Sequence, residues 1–247
     1  MPEYRQHFAR VASKYDALRH EAADEVADWL VAAGDLSAPH RLLDVGCGPG
    51  AMTRRLAARL GIDAVGIDPS AEMLQVARSD AAPRCEYVEG QAEALPFEDG
   101  SFGRALMQTS VHLMDRPAAF AEARRVLAED GLLLVATVDP AGIDGFWLSE
   151  WFPSWAGIDR KRFPKPEVLT TELGEAGLGD VEVSRLARRL EFTRDHALEM
   201  LRARFASSFA LIGEQEYEQG IARAEREMPE AFESTLHMVG LAARTGS

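Results

Sequence analysis

The residues best suited to chemistry gather where a short apolar run ends in Asp44-Val45-Gly46-Cys47-Gly48-Pro49-Gly50. Three glycines in five residues permit backbone angles that side chains resist, and they let a ligand lie directly on the main chain. A helix expected from Met52 turns its unpaired N–H groups to the same point, so the segment makes a cradle for a nucleoside or phosphate. Gly46-x-Gly48-x-x-Ala51 also satisfies the relaxed dinucleotide fingerprint, so a NAD(P) cofactor stays open here. About twenty residues later comes Val65-Gly66-Ile67-Asp68. A carboxylate at that strand end can accept from both hydroxyls of an adenosine ribose, each charge-assisted bond contributing about 1.5–3 kcal/mol. Asp68 therefore marks a ribose without choosing the cofactor. The competing role, a helix N-cap, falls better to Ser70 ahead of a helix at Ala71.

Groups so arranged need strand ends that converge. Apolar runs at Arg41–Val45, Ala64–Ile67, Cys85–Glu89, Gly103–Gln108 and Leu132–Val138 read as strands. Helices are expected between them at Met52–Leu60, Ala71–Arg78 and Pro117–Leu127, with Asp130-Gly131 turning into the fifth strand. Strands spaced by single helices imply right-handed crossovers and a parallel, doubly wound α/β sheet. An amphipathic helical stretch over residues 4–33 precedes the sheet as a cap, broken at Gly34 and Ser37-Ala38-Pro39. Beyond Pro140 come an aromatic segment at 141–163, a helix at Glu167–Ala176, a strand at Val181–Phe192, charged helices over 194–228 and a last strand at Ser234–Ala243. The expectation is one domain with a mainly parallel seven-stranded Rossmann-like sheet. Residues 1–140 form its core and helical cap, and residues 141–247 supply an aromatic, helical lid and the last two strands.

With 247 residues the chain can bury a full core. No apolar run approaches a membrane span, and charges throughout the first thirty residues exclude a signal peptide core, so a cytoplasmic location is expected. Cys47 and Cys85 lie far apart without a His cluster, which leaves no metal site to expect. A net charge of −13 argues against nucleic acid, and Arg185, Arg188, Arg189 and Arg194 read as a solvated basic face.

The cofactor is chosen further along. Gly90-Gln91-Ala92-Glu93-Ala94-Leu95-Pro96-Phe97 follows the third strand, and Asp99-Gly100-Ser101-Phe102 leads into the fourth. With Phe8-x-x-Val11-Ala12-x-x-Tyr15-Asp16, the glycine loop, Asp68-Pro69-Ser70-x-x-Met73, Ser110-Val111-His112-Leu113 and Arg124-Arg125-Val126-Leu127-x-x-x-Gly131, residues 4–140 resemble the class I S-adenosylmethionine-dependent methyltransferases. The resemblance is to the small-molecule group that includes the ubiquinone/menaquinone biosynthesis enzymes. It implies that S-adenosylmethionine binds and leaves as S-adenosylhomocysteine, without a metal. It places Asp44, Gly46, Cys47, Gly48 and Gly50 around the methionine and ribose portions, Asp68 with Pro69 at the ribose, Met73 on the adenine, Gln91 and Ala92 at the adenine edge, Gln108 at the methionine part, and Tyr15 over the cofactor from the cap. Two positions depart from the family. Gln91 replaces a common Asp, though its carbonyl can still accept from the adenine amino group, and Gly103 replaces the Asp after Phe102.

His112 falls near the family's acceptor position, where a neutral imidazole can take a proton or simply hold the substrate. Cys47 reads as a small filler, and His7, His20, His40, His196 and His237 show no ligand spacing. Trp147, Trp151 and Trp155 repeat every four residues, so a single helix would set them on one face over an apolar or aromatic acceptor; core packing is the alternative. Arg202, Arg204, Ser207 and Ser208 offer a second wall, with dimerisation as the other use of that region. The activity expected is in-line methyl transfer to O, N or C of a small acceptor by a monomer or homodimer. A NAD(P)-dependent oxidoreductase, a binding protein without catalysis and a cofactor-sharing protein with another reaction outcome are the rivals.

Overall fold

Leu, Val, Ile and Ala fill the central strand segments because both faces of the sheet are covered there, which leaves no solvated side to alternate with polar residues. The computed structural model describes residues 23–37, 40–80 and 82–246. Helix α1 (Ala23–Ala33) leads to β1 (Leu42–Val45), α2 (Ala51–Leu60), β2 (Ala64–Asp68), α3 (Ala71–Ser79) and β3 (Cys85–Glu89). Then come β4 (Phe102–Gln108), a 3₁₀ turn at Val111–Leu113, α4 (Arg116–Val126) and β5 (Leu127–Val138). The seven strands form one sheet in the order β3-β2-β1-β4-β5-β7-β6, with β6 (Leu178–Thr193) and β7 (Ala231–Thr245) contributed by the end of the chain. The pairs β3–β2, β2–β1, β1–β4 and β4–β5 are parallel, and β7 runs antiparallel to both β5 and β6. The order reverses between β1 and β4, and a doubly wound sheet opens a crevice at that point, beyond its strand ends.

Alternate strand residues serve opposite cores. Leu43, Val45, Ala105, Met107, Leu133 and Val135 pack with Phe120 of α4 and Leu169 and Leu173 of a later helix. Leu42, Leu106, Leu132 and Leu134 pack on the other face with Val26, Ala27 and Leu30 of α1 and Leu56 of α2. Two expectations shift here. The fifth strand starts at Leu127, with Phe102 opposite Leu127 and Arg104 opposite Leu132, so the turn at Asp130 (φ 59°) lies inside β5 as a bulge. Gly103, the family departure, has a local use, since a Cβ there would come within 2.6 Å of the His40 ring. Of the expected cap over 4–33, α1 is described; Phe8, Val11, Ala12, Tyr15 and Asp16 lie outside the described residues.

The lid is two short helices where the tryptophan spacing predicts one. After a 3₁₀ turn at Pro140–Gly145, α5 (Leu148–Trp151) and α6 (Trp155–Arg162) are separated at Phe152-Pro153. A residue before proline is driven out of the α region, and Phe152 is extended at φ −127°, ψ 97°. Helices α7 (Pro166–Glu175), α8 (Arg194–Arg202) and α9 (Glu214–Glu227) complete the chain, with a 3₁₀ turn at Ser207–Ala210. Trp147, Trp151, Phe152, Phe192, Phe205 and Phe209 form a third core with α8 and part of α9. Among the described residues no helix is long and apolar enough to cross a membrane.

Candidate cofactor and acceptor site

Gly46, Gly48 and Gly50 all adopt left-handed angles, φ 76°, 55° and 77°, so the loop between β1 and α2 doubles back where side-chain-bearing residues would be strained. Neighbouring strand ends clamp it. Gly46 N–H donates to Ile67 C=O at 2.8 Å, and the Ser110 hydroxyl donates to Val45 C=O at 3.0 Å. Gly50 rests on Tyr87, whose hydroxyl lies 2.6 Å from where a Cβ would be. Gly48 differs, with nothing within 4 Å of its missing Cβ. Its N–H donates to Asp68 Oδ2 at 2.9 Å, and Ser70 N–H donates to Asp68 Oδ1 at 2.9 Å, so two backbone bonds aim the carboxylate. As the sequence predicts, Ser70 caps α3, accepting from Met73 N–H at 3.3 Å.

Beneath the loop, Asp44 is buried and accepts the Thr53 hydroxyl at 2.5 Å. Burial pushes its carboxyl up to about 6, against the Thr53 hydrogen bond and with help from the charge of Asp68. Burial also raises the Cys47 thiol well above its ordinary range, as the nearby Asp44 and Asp68 do to a lesser degree, which disfavours the thiolate.

These residues open onto one cavity of about 1670 Å³. One end is lined by Asp44, Gly46, Cys47, Gly48, Asp68, Pro69, Met73, Gln91, Ala92 and Gln108, so the structure brings those sequence-chosen residues together. Gly50 lies behind the lining, and Tyr15 is outside the described residues. The groups present fit S-adenosylmethionine: open main chain at Gly48, an aimed carboxylate for ribose hydroxyls, and the buried Met73 beside Ala92 as an apolar bed for an adenine.

The other end is lined by His112, Ile143, Phe146, Trp155, Phe163 and Met200, among others. His112 and Phe163 hold their rings 4.4 Å apart, joining the end of β4 to the lid. Trp155 faces this space, whereas Trp147 and Trp151 do not line it, which corrects the expectation of a three-tryptophan wall. Trp147 packs on Phe192 and Phe232 at 5.3 and 5.6 Å, and Trp151 lies under the Arg223 guanidinium at 5.3 Å. The break at Pro153 rotates these rings away from a common face. Ser207 and Ser208 join the wall, while Arg202 pairs with Glu225 and Arg204 with Glu214 away from it.

Sequence reasoning passed over several lining residues. Arg188, read as solvated, is 8% exposed and lines the cavity. Successive strand residues point to opposite faces, so Arg185 stays in solvent, and Arg189 reaches the cavity only as an exposed side chain paired with Glu233. His196 of α8, His237 of β7, Asp159 and Arg162 also line it. The available signal was period-two patterning along β6, which separates Arg188 from its neighbours; Asp159 and Arg162 carried none.

The comparisons agree with this geometry. A family model described as a methyltransferase domain matches residues 42–131. An uncharacterized methyltransferase of Mycobacterium bovis is 37% identical over 126 residues, 51% of this chain, and the chain spans about half (49%) of that relative's length. The ubiquinone/menaquinone biosynthesis C-methyltransferase of Paracoccus denitrificans is 33% identical over 210 residues, covering 73% of this chain and 84% of that one. A phosphoethanolamine N-methyltransferase of Haemonchus contortus, solved with S-adenosyl-L-methionine, shares the fold at a TM-score of 0.63 and 20% identity, over 96% of this chain and 57% of that one. Glycine loop, ribose acid, strand order and sequence relatives converge, and the chain belongs to the S-adenosylmethionine-dependent methyltransferase family.

Proposed function

We propose that this chain transfers the methyl group of S-adenosylmethionine to a small, largely apolar or aromatic acceptor held under the lid. The observation that carries this reading is continuity: a single cavity of about 1670 Å³ joins the glycine-loop end to the aromatic end. Drug-sized ligands fill roughly 300–1,000 Å³, so the space suits a cofactor and an acceptor together.

S-adenosylmethionine supplies, when bound, a methyl group already activated on a sulfonium. The chain's own part is then placement. Gly48 gives main-chain contact, Asp68 accepts the ribose hydroxyls, and Met73, Gln91 and Ala92 hold the adenine. Asp44 and Gln108 stand at the methionine end. Trp155 and Phe163 orient the acceptor and exclude water. Orientation of this kind contributes roughly 7–11 kcal/mol in well-aligned systems, so an obligatory base is not required. His112, on the acceptor side, positions the acceptor and takes its proton when the nucleophile is a hydroxyl or amine.

Titration of the purified chain with S-adenosylmethionine, S-adenosylhomocysteine and NADH tests the cofactor, and labelled S-adenosylmethionine with quinols, phenols and amines tests transfer. Tight binding of NADH alone refutes the reading. Cofactor binding with an unmethylated product in every acceptor reaction refutes the transfer step. An activity–pH profile unchanged by His112→Ala removes the base role.

A further inference from the structure

Among the polar groups that line the cavity, one linked cluster on α6 has no use in methyl transfer. Asp159 and Arg162 of α6 face the cavity together with Ser207 and Ser208. Arg162 Nη1 donates to Asp159 Oδ1 at 2.8 Å, and Nη2 donates to Ser207 Oγ at 2.8 Å. Trp155 Nε1 donates to Ser208 Oγ at 2.9 Å, which ties the same wall to the lid tryptophan. The Arg162 and Asp159 side chains are only 10% and 6% exposed. Arg162 adjoins Phe163, whose ring meets His112, so the network stands beside the expected acceptor position.

A buried ion pair is a poor stabiliser, since apolar residues of similar volume often hold a core equally well. Its placement on a cavity wall points to recognition. An acceptor that covers this wall with hydrocarbon would desolvate the pair and give nothing back, so it must present a polar atom here. The acceptors of this wall, Asp159, Ser207 and Ser208, already receive donors from Arg162 and Trp155, whereas guanidinium offers donors only, so the atom that meets Arg162 is a hydrogen-bond acceptor. Asp159 balances the charge of Arg162, and a ligand carboxylate would meet that acid as well. A neutral oxygen does not.

We propose, building on the reading above, that Arg162 is a specificity residue donating to a neutral carbonyl oxygen of an otherwise apolar or aromatic acceptor. Asp159 and Ser207 are positioning residues that fix its fork.

A matched set of probes tests this: 4-hydroxyacetophenone, phenol and 4-hydroxybenzoate, titrated calorimetrically into the protein with and without S-adenosylhomocysteine. The ketone binds about tenfold or more tightly than phenol, as expected for a hydrogen bond to a charged donor, and more tightly than the carboxylate. Arg162→Met collapses the ketone-to-phenol ratio towards one, while Arg162→Lys restores part of it. S-adenosylhomocysteine affinity reports that each variant is folded; where Arg162→Met fails that check, Ser207→Ala, which loosens the fork, must reduce the ratio. Any acceptor that turns over shows the loss in KM more than in kcat. A carboxylate that binds tightest, equal binding of ketone and phenol, binding by none of the three, or a ratio unmoved by the variants overturns the proposal. Ketone selectivity without cofactor binding would refute only the methyltransferase reading, and methyl transfer without selectivity only this one.

Discussion

The two ends of the cavity are built by different means. The glycine-loop end comes largely from residues 44–92, in chain order, and it presents open main chain and a carboxylate aimed by backbone. The lid end draws His112, Trp155, Phe163, Met200 and Phe205 from separate segments, and its working parts are side chains. Hence the first end is intolerant of added atoms and the second of altered shape. Substitutions at one end should separate cleanly from those at the other.

Glycine variants give the largest separation. At Gly50 a Cβ adds left-handed strain to a clash with Tyr87, so Gly50→Ala lowers both Tm and cofactor affinity. At Gly48 the strain is similar but no protein atom lies within 4 Å, so Gly48→Ala leaves Tm closer to wild type. Its methyl group instead occupies space on the cavity wall. Each loss of S-adenosylmethionine affinity is expected on the order of 100-fold by calorimetry, from about 1–3 kcal/mol of backbone strain plus steric conflict. Near-native affinity for Gly48→Ala would show that the ligand does not approach the loop.

Asp44 makes the cofactor end sensitive to pH. Its folded value of about 6 exceeds the ordinary 3.8, so the native state holds the proton more tightly than the unfolded chain. The resulting stability is full below about pH 4 and is lost as pH rises through about 6, an effect of about 3 kcal/mol at most. Tm of wild type measured against Asp44→Asn should fall across that window. The ionised form also favours a cationic cofactor, so affinity should tighten from pH 5 to 7 in wild type and stay level in the variant. A parallel pair of Tm curves would remove Asp44 as the titrating group.

The contrast also explains what the sequence could reveal. Asp44–Gly50 and Asp68 were legible because a strand, a turn and a helix start are local, and glycine and carboxylate each have a narrow reason to stand there. The central strands were legible because a doubly covered sheet demands apolar runs, while the edge strand Leu178–Thr193 showed itself by alternation. The lid was not. Trp147, Trp151 and Trp155 repeat with helical spacing, yet Pro153 breaks the helix; all three join the aromatic core, and only Trp155 also lines the cavity. Arg188 needed the sheet's alternation to be separated from Arg185 and Arg189, and the Asp159–Arg162 pair depends on Ser207, which is distant in sequence. Side-chain walls assembled across long loops leave no spacing to read.

At the lid end, Phe163→Leu keeps an apolar filler but removes the ring facing His112. Acceptor KM should rise about twofold to tenfold, the worth of an aromatic contact of roughly 0.5–1.5 kcal/mol, with cofactor affinity unchanged. A change in cofactor affinity of the same size would mean that the two ends are not separable.

The smallest expected effect lies at Tyr87, a residue that touches the loop without lining the cavity. Its hydroxyl donates to Gly50 C=O at 3.4 Å, a long bond, while its ring fills the space under Gly50 and Gly66. Arg54 holds the adjacent Pro49 C=O at 2.7 Å, so the outer side of the loop has two supports. Tyr87→Phe keeps the ring and removes only the weaker support, and affinity for S-adenosylmethionine should drop about twofold to threefold, near the low end for a neutral hydrogen bond. Tyr87→Ala removes the ring as well and should cost far more, both in Tm and in affinity. If the phenylalanine variant loses as much as the alanine one, the hydroxyl rather than the ring supports the loop, and the cofactor end depends on a side-chain bond after all.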